Sequence, residues 1–222
     1  MAPQLLNLVF VILRLSFLFT LLTTALAQAD SLAFQVLEEV NFARTQPQQY
    51  AQIVAAHAGS QRGSEGSRAV MEAIGFLQRA QPQAPLSWSR GISQAALSHA
   101  LDAGPRGGIG HAGSRGETPW ARMARFGIWQ GHAGENIDYG HADARSIVIS
   151  LIVDNGVSSR MHRANLFSRN FRVAGIAVGP HATWGSMCVM DFATGFTEAG
   201  EETVATRSSS GFHSQYSGMS FF

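Results

Sequence analysis

The chain contains no lysine, and its only cysteine is Cys188. One thiol cannot close an internal disulfide, so a domain of this size has to be held by its hydrophobic core. Met187, Val189 and Met190 surround that cysteine, which predicts an inert thiol buried in a strand. Arginine carries the whole basic complement, scattered singly, and once Arg14 is set aside the two signs balance. A clustered basic face is therefore missing, which excludes an electrostatic binder of nucleic acid or of membrane surfaces. Paired cysteines and a His-Glu-x-x-His string are missing as well, so the strong local metal signatures are lacking.

Two strings imitate catalytic or cofactor motifs without their context. Gly108-Ile109-Gly110-His111-Ala112-Gly113 has the spelling of a dinucleotide fingerprint, but that motif needs a strand before it and a helix opening on its glycines. A helix and Gly104-Pro105 precede it here. Ala112-Gly113-Ser114-Arg115-Gly116 resembles a nucleophile elbow, which requires a sharp strand-to-helix turn. No strand is expected there, and Ser114 reads as an ordinary loop serine.

Residues 1–29 read as a secretory signal, with an apolar run from Leu5 to Leu26 and the small residues Ala27 and Ala29 before Asp30. An uncleaved anchor is the alternative, since that run approaches the roughly 20 residues that cross a bilayer. After cleavage no stable membrane span is expected. Residues 30–196 suffice for one domain with a proper core. Residues 197–222 turn to Ser, Gly, Glu and Thr, and a disordered tail is expected.

Within the domain, Leu32, Val36, Leu37, Val40 and Phe42 recur at helical spacing, and Pro47 ends that helix and opens a second one to Ala56. Arg68–Ala80 and Ser89–Asp102 are further helices, the latter with Ile92, Ala95, Ala96 and Leu101 facing inward. Residues 104–116 are glycine-rich and should be irregular, holding His111 close to backbone. Thr118-Pro119 is an N-cap followed by a first-turn proline, starting a short helix stopped at Gly127. The apolar run Ser146–Asp154 suits a buried helix or a strand. Val173–Val178 and Ser186–Phe192 read as an antiparallel hairpin joined through Gly179-Pro180 and a polar turn. Further strands are expected near Glu135 and Phe212.

Four polar residues stand out among these segments: His111, Glu135 in Gly134-Glu135-Asn136-Ile137, Asp154, and His162 in His162-Arg163-Ala164-Asn165. Spacing alone does not join them. Their order, with Asn41 and Arg44 upstream and Phe171 and Val173–Val178 downstream, resembles the CAP superfamily, also called the SCP or pathogenesis-related-1 domain, over roughly residues 32–196. Gly134-Glu135-Asn136-Ile137 is its most specific string. Asn136, Arg163 and Asn165 support the match, and the lack of cysteines resembles bacterial members. Leu151 and Asp154 take positions where the family usually has Trp and Glu, and aspartate is shorter by one methylene.

That resemblance implies an α+β fold, a three-layer α-β-α sandwich around a central antiparallel sheet, with Ser146–Asp154 a helix, and a secreted or periplasmic location. It implies His111 and His162 as ligands of a divalent cation, Zn²⁺ first among them, with Glu135 and Asp154 behind them or acting through water. Three functions follow as expectations. One is a non-enzymatic binding module for a lipid, a small apolar ligand or a cell-surface protein. Another is a metal-assisted protease or esterase with Glu135 as general base. In the third, the polar residues only organise the core.

Overall fold

The computed structural model describes residues 31–57 and 64–200, together with Arg14 and Ala29. The expected signal, apart from those two residues, lies outside this range, as do residues 201–222 and with them Phe212.

Residues 31–45 form α1, followed by α2 (Pro47–Ala56), α3 (Ser67–Arg79), β1 (Ser87–Trp88), α4 (Arg90–Ala103), a 3₁₀ turn (Gly104–Arg106), α5 (Pro119–Ala124), β2 (Gly127–Tyr139), α6 (Ala144–Val153), α7 (Met161–Leu166), β3 (Val173–His181) and β4 (Gly185–Glu198). Helix starts follow local chemistry. Ser89, Thr118 and Asp143 each accept a hydrogen bond from the backbone N–H three residues on, at the N-termini of α4, α5 and α6, which satisfies a donor the helix itself cannot use. Pro47 and Pro119 sit in first turns, where a missing N–H costs nothing.

The sheet order is β1-β3-β4-β2, with β1 parallel to β3 and the other pairs antiparallel. Strand alternation divides its side chains between two helical layers. Cys188, Met190 and Phe192 of β4 join Ala174 and Ile176 of β3 beneath α1, α2, α3, α6 and α7. Met187, Val189 and Ala193 face the other way, onto α4 and α5, with Ala133 and Ile137 of β2. Helices thus cover both faces, giving the three-layer α-β-α sandwich and a mainly antiparallel sheet. Cys188 is buried as expected, and burial pushes its thiol well up.

Ser146–Asp154 is helix, the reading that the family resemblance implies, with Asp154 as its C-cap. Several boundaries differ from the sequence expectation. Gly127 does not merely stop α5; it opens a strand of 13 residues. β3 runs on through Gly179-Pro180, which still pair with β4, and the hairpin turns in the polar stretch after His181. Leu101, expected inside, is 54% exposed, and the inward position on α4 belongs to His99. β4 continues to Glu198, whose carboxylate accepts from Ser89 Oγ and Gly91 N–H, an anion held at the N-terminus of α4. Among the described residues, no helix is long and apolar enough to cross a membrane.

Candidate functional site

β2 is the strand that organises the site. Glu135 points to the α4–α5 side and Asn136 to the other, because neighbours on a strand face opposite ways. Each serves one of the two histidines expected as ligands.

On the α4–α5 side, Glu135 Oε1 lies 2.7 Å from His111 Nδ1, and Arg122 Nη2 donates to Glu135 Oε2 at 2.5 Å. The same guanidinium donates through Nη1 to the carbonyls of His111 and Glu117. The glycine-rich loop carrying His111 is therefore fixed in several places. His99 Nε2 donates to the Gly110 carbonyl, the Gly110 N–H donates to Tyr139 Oη, and Asp102 accepts from both the N–H and the hydroxyl of Ser114. Burial, the largest influence on Glu135, pushes its carboxyl up. The His111 hydrogen bond and the Arg122 charge outweigh it and hold Glu135 below the usual carboxylate range. Glu135 is therefore an acceptor-only carboxylate, and His111 must carry its proton on Nδ1 to donate to it.

The second pair lies at the end of α6. Asp154 adopts a left-handed conformation (φ 55, ψ 45) as the C-cap, where aspartate is tolerated better than most residues. From there its two oxygens meet His162 twice: Oδ1 lies 2.7 Å from Nδ1, and Oδ2 accepts the backbone N–H at 3.0 Å. Arg160, also left-handed at φ 52, donates to the carbonyls of Asp154 and Val157 and is held by Glu65 and Glu72. The turn between α6 and α7 is thus tied to α3.

The motif residues join the two pairs. Asn136 Nδ2 donates to the His162 carbonyl, while Asn136 Oδ1 accepts from Asn165 Nδ2, both at 2.9 Å. Arg163 is structural: it donates to the carbonyls of Ile152 and Val153 at the end of α6, pairs with Glu72 and stacks on Phe76. Asn41 and Arg44 are structural too, bonding Leu86 and the carbonyls of Ala84 and Leu166. The hydrogen bonds thus sort the four expected residues into two carboxylate–imidazole pairs anchored at consecutive positions of β2. Both imidazoles stay partly open, His111 at 22% and His162 at 17% side-chain exposure. Among the described residues, no group of three or more His, Cys, Asp or Glu side chains converges as a cation cage.

A cavity of about 400 Å³ opens beside His162 and Asp154, with Tyr139, Leu151, Asp138 and His141 among its walls. His141 Nδ1 lies 3.0 Å from Asp138, a third carboxylate–imidazole pair that raises the histidine; burial raises the aspartate in turn. Sequence reasoning missed this pair, and it also missed Arg122 and His99. His141 lies three residues beyond Asp138 at the end of a strand, a local signal that was available. Arg122 and His99 gave none, since a helical arginine and a helical histidine look alike whether they face solvent or core.

Solved structures resemble the chain only distantly. An outer surface protein from Borrelia burgdorferi matches at 17% identity and a TM-score of 0.41, over 49% of this chain and 76% of that one. An extracellular protein containing an SCP domain from Bacillus anthracis str. Ames matches at 23% identity and 0.39, over 56% of this chain and 38% of its own length. A cysteine-rich secretory protein from Staphylococcus aureus matches at 14% identity and 0.36, over 51% and 33%. No curated protein matches the sequence. Residues 37–192 match the family described as CAP, the cysteine-rich secretory protein family. That span holds both imidazole–carboxylate pairs and the Glu135-Asn136 junction between them, and the chain belongs to the CAP family.

Proposed function

We propose that this CAP domain is an exported, non-enzymatic binding module that holds a divalent cation through Nε2 of His111 and of His162. The observation that carries this reading is the shared geometry of the two rings. Each has Nδ1 committed to a buried carboxylate, which fixes the tautomer and aims Nε2, as outer partners do for metal-bound histidines. Two neutral imidazoles suit Zn²⁺ better than Mg²⁺ or Ca²⁺. Solvent would complete the coordination, so affinity should be modest. Beside His162, the cavity of about 400 Å³ with Leu151 and Val157 in its wall is of a size for a small, partly apolar ligand. A lipid fragment or an apolar side chain of a cell-surface protein has the required chemistry. Location outside the cytoplasm rests on the signal-like residues 1–29 and on the secretory character of the family.

The hydrolase reading is weaker on the same geometry. A general base needs a pKa near the working pH, whereas Glu135 is held below the usual range by His111 and Arg122 and both its oxygens are already engaged.

Metal analysis and calorimetric titration with ZnCl₂ test the proposal, on wild type and on the double variant His111→Ala/His162→Ala. Heat of binding in the wild type that disappears in a folded double variant is the expected outcome. Equal heats would remove the site, and cleavage of a peptide or ester panel that Glu135→Gln abolishes would favour the hydrolase.

A further inference from the structure

The cavity of about 400 Å³ has two carboxylate–imidazole pairs in its wall, His162–Asp154 and His141–Asp138. In both, Nδ1 is turned to the carboxylate, at 2.7 Å for His162 and 3.0 Å for His141. A carboxylate only accepts, so Nδ1 carries the proton and the neutral ring offers a lone pair at Nε2. Zinc, in the reading above, uses the nitrogen of His162. That of His141 has no use so far.

Behind the rings, Asp138 is 4% and Asp154 3% exposed, so water screens neither charge well. Among the described residues, no arginine lines the cavity. Arg160 donates to the Asp154 carbonyl, but Glu65 and Glu72 hold its guanidinium. The wall is therefore electronegative: two lone-pair acceptors stand in front of two carboxylates. It repels an anion, and an uncharged ligand gains nothing from its field. A primary ammonium answers both features, since it brings positive charge and N–H donors. Asn155 adds a further demand. Its Oδ1 accepts from the Glu65 N–H, while Nδ2 is buried without a partner beside the same cavity. A buried donor left unpaired is costly, so the ligand that fits carries an oxygen close to its ammonium. Ile137, Leu151 and Val157 give apolar wall for the methylenes between them.

We propose that this cavity binds the head of an amino alcohol of the ethanolamine class. The ammonium donates to Nε2 of His141 and, where no metal holds it, of His162, and the oxygen accepts from Asn155 Nδ2. Free ethanolamine and the ethanolamine head of a phospholipid share that chemistry. The inference names the ligand class for the cavity described under the proposed function and rests on that cavity being a binding site; it does not need zinc.

Calorimetry and ring NMR of metal-free protein at about pH 8, above the ordinary histidine range, test it with ethanolamine. Binding at about millimolar strength is expected for so few atoms, with shifts at His141. Choline, which lacks N–H donors, and ethylene glycol, which lacks charge, should each bind at least about tenfold more weakly, and so should ethanolamine to Asp138→Asn and His141→Ala. The His141 side chain is 37% exposed, so its variant keeps the test open if Asp138→Asn does not fold. Co-sedimentation with vesicles of phosphatidylcholine plus phosphatidylethanolamine, but not of phosphatidylcholine alone, would assign the lipid head; ethanolamine binding without it would assign the free amine. Wild type that ignores ethanolamine, or binds glycol or choline equally well, overturns the proposal, as does unchanged affinity in a folded variant. Zinc binding without ethanolamine binding would sink this inference and leave the cation reading standing, and the opposite result would do the reverse.

Discussion

Arg122 Nη2 stands 2.5 Å from Glu135 Oε2, and both side chains are 1% exposed. A buried ion pair is weak evidence for net stability, but removing one partner strands the other charge, at a cost of about 3–5 kcal/mol. Arg122 also holds two backbone carbonyls, those of His111 and Glu117. Arg122→Ala should therefore lower unfolding free energy by about that amount and free the loop around His111. Arg122→Lys keeps the charge but lacks the forked donors, so it should recover part of the stability and little of the loop order. Urea denaturation of both variants, with amide exchange at residues 110–117, reads the two effects separately.

Acid should weaken the fold through a buried histidine. His99 is fully buried between α4 and the His111 loop, and burial, followed by the Arg122 charge, lowers its pKa. An unfolded chain takes up that proton near pH 6.5 and the folded chain does so only at lower pH. The stability His99 supports is thus present above about 6.5 and lost as pH falls below it. His141 works in the opposite sense. Its pKa is raised by Asp138, so its contribution is complete below about 6.5 and lost as pH rises through the folded value. The measurement is therefore a difference. Urea midpoints of wild type and His99→Gln between pH 7 and 5 should diverge, with the glutamine variant falling less steeply because it keeps a donor for the Gly110 carbonyl without a titrating ring.

How much of this was legible in the sequence depends on the length scale of each signal. The helices were readable because their signals are local: Thr118 as a cap, Pro47 and Pro119 in first turns, and apolar residues at helical spacing. β2 was legible only around Glu135. Its first half, Gly127 to Gly134, carries three glycines and the exposed His132, and it bulges between Gln130 and Ala133 with Gly131 at φ 71, so no alternation survives to be read. β1 has two residues and exists because Ser87 and Trp88 meet Val173 and Ala174. At the site, resemblance supplied His111, Glu135, Asp154 and His162. The groups that hold the first pair, Arg122 and His99, come together with it only through the packing of α4 and α5 on the sheet.

Asp154 allows backbone strain to be separated from its bonds to His162. A non-glycine residue in the left-handed region is disfavoured by roughly 1–2 kcal/mol, and hydrogen bonds to a charged group contribute about 1.5–3 kcal/mol each. Asp154→Ala loses both His162 bonds and keeps the strain. Asp154→Gly loses the bonds and removes the strain, so it should be the more stable of the two by about 1 kcal/mol. Zinc affinity should fall about 10- to 100-fold in either, since His162 Nδ1 loses its carboxylate. Denaturation ranks the pair, and calorimetry checks that affinity follows the lost carboxylate rather than the backbone.

Gly175 and Gly110 form a contrast that tests whether α4 docking holds the site. At Gly175 an added Cβ would sit 2.0 Å from Ser93 N and 2.3 Å from Ile92 C. These are backbone atoms of a helix packed on the sheet, and the clash cannot be relieved by a rotamer change. Gly175→Ala should push α4 off β3, with destabilisation at or above the usual 1–3 kcal/mol of overpacking. Because α4 carries His99, which holds the Gly110 carbonyl, that displacement should also loosen His111. At Gly110 itself a Cβ meets nothing within 4 Å, although φ is +87, so Gly110→Ala carries only conformational strain of about 1 kcal/mol. Amide exchange across residues 107–117 should therefore rise more for the distant Gly175→Ala than for Gly110→Ala beside His111. The reverse order would mean that the loop is held by its own bonds and not through α4.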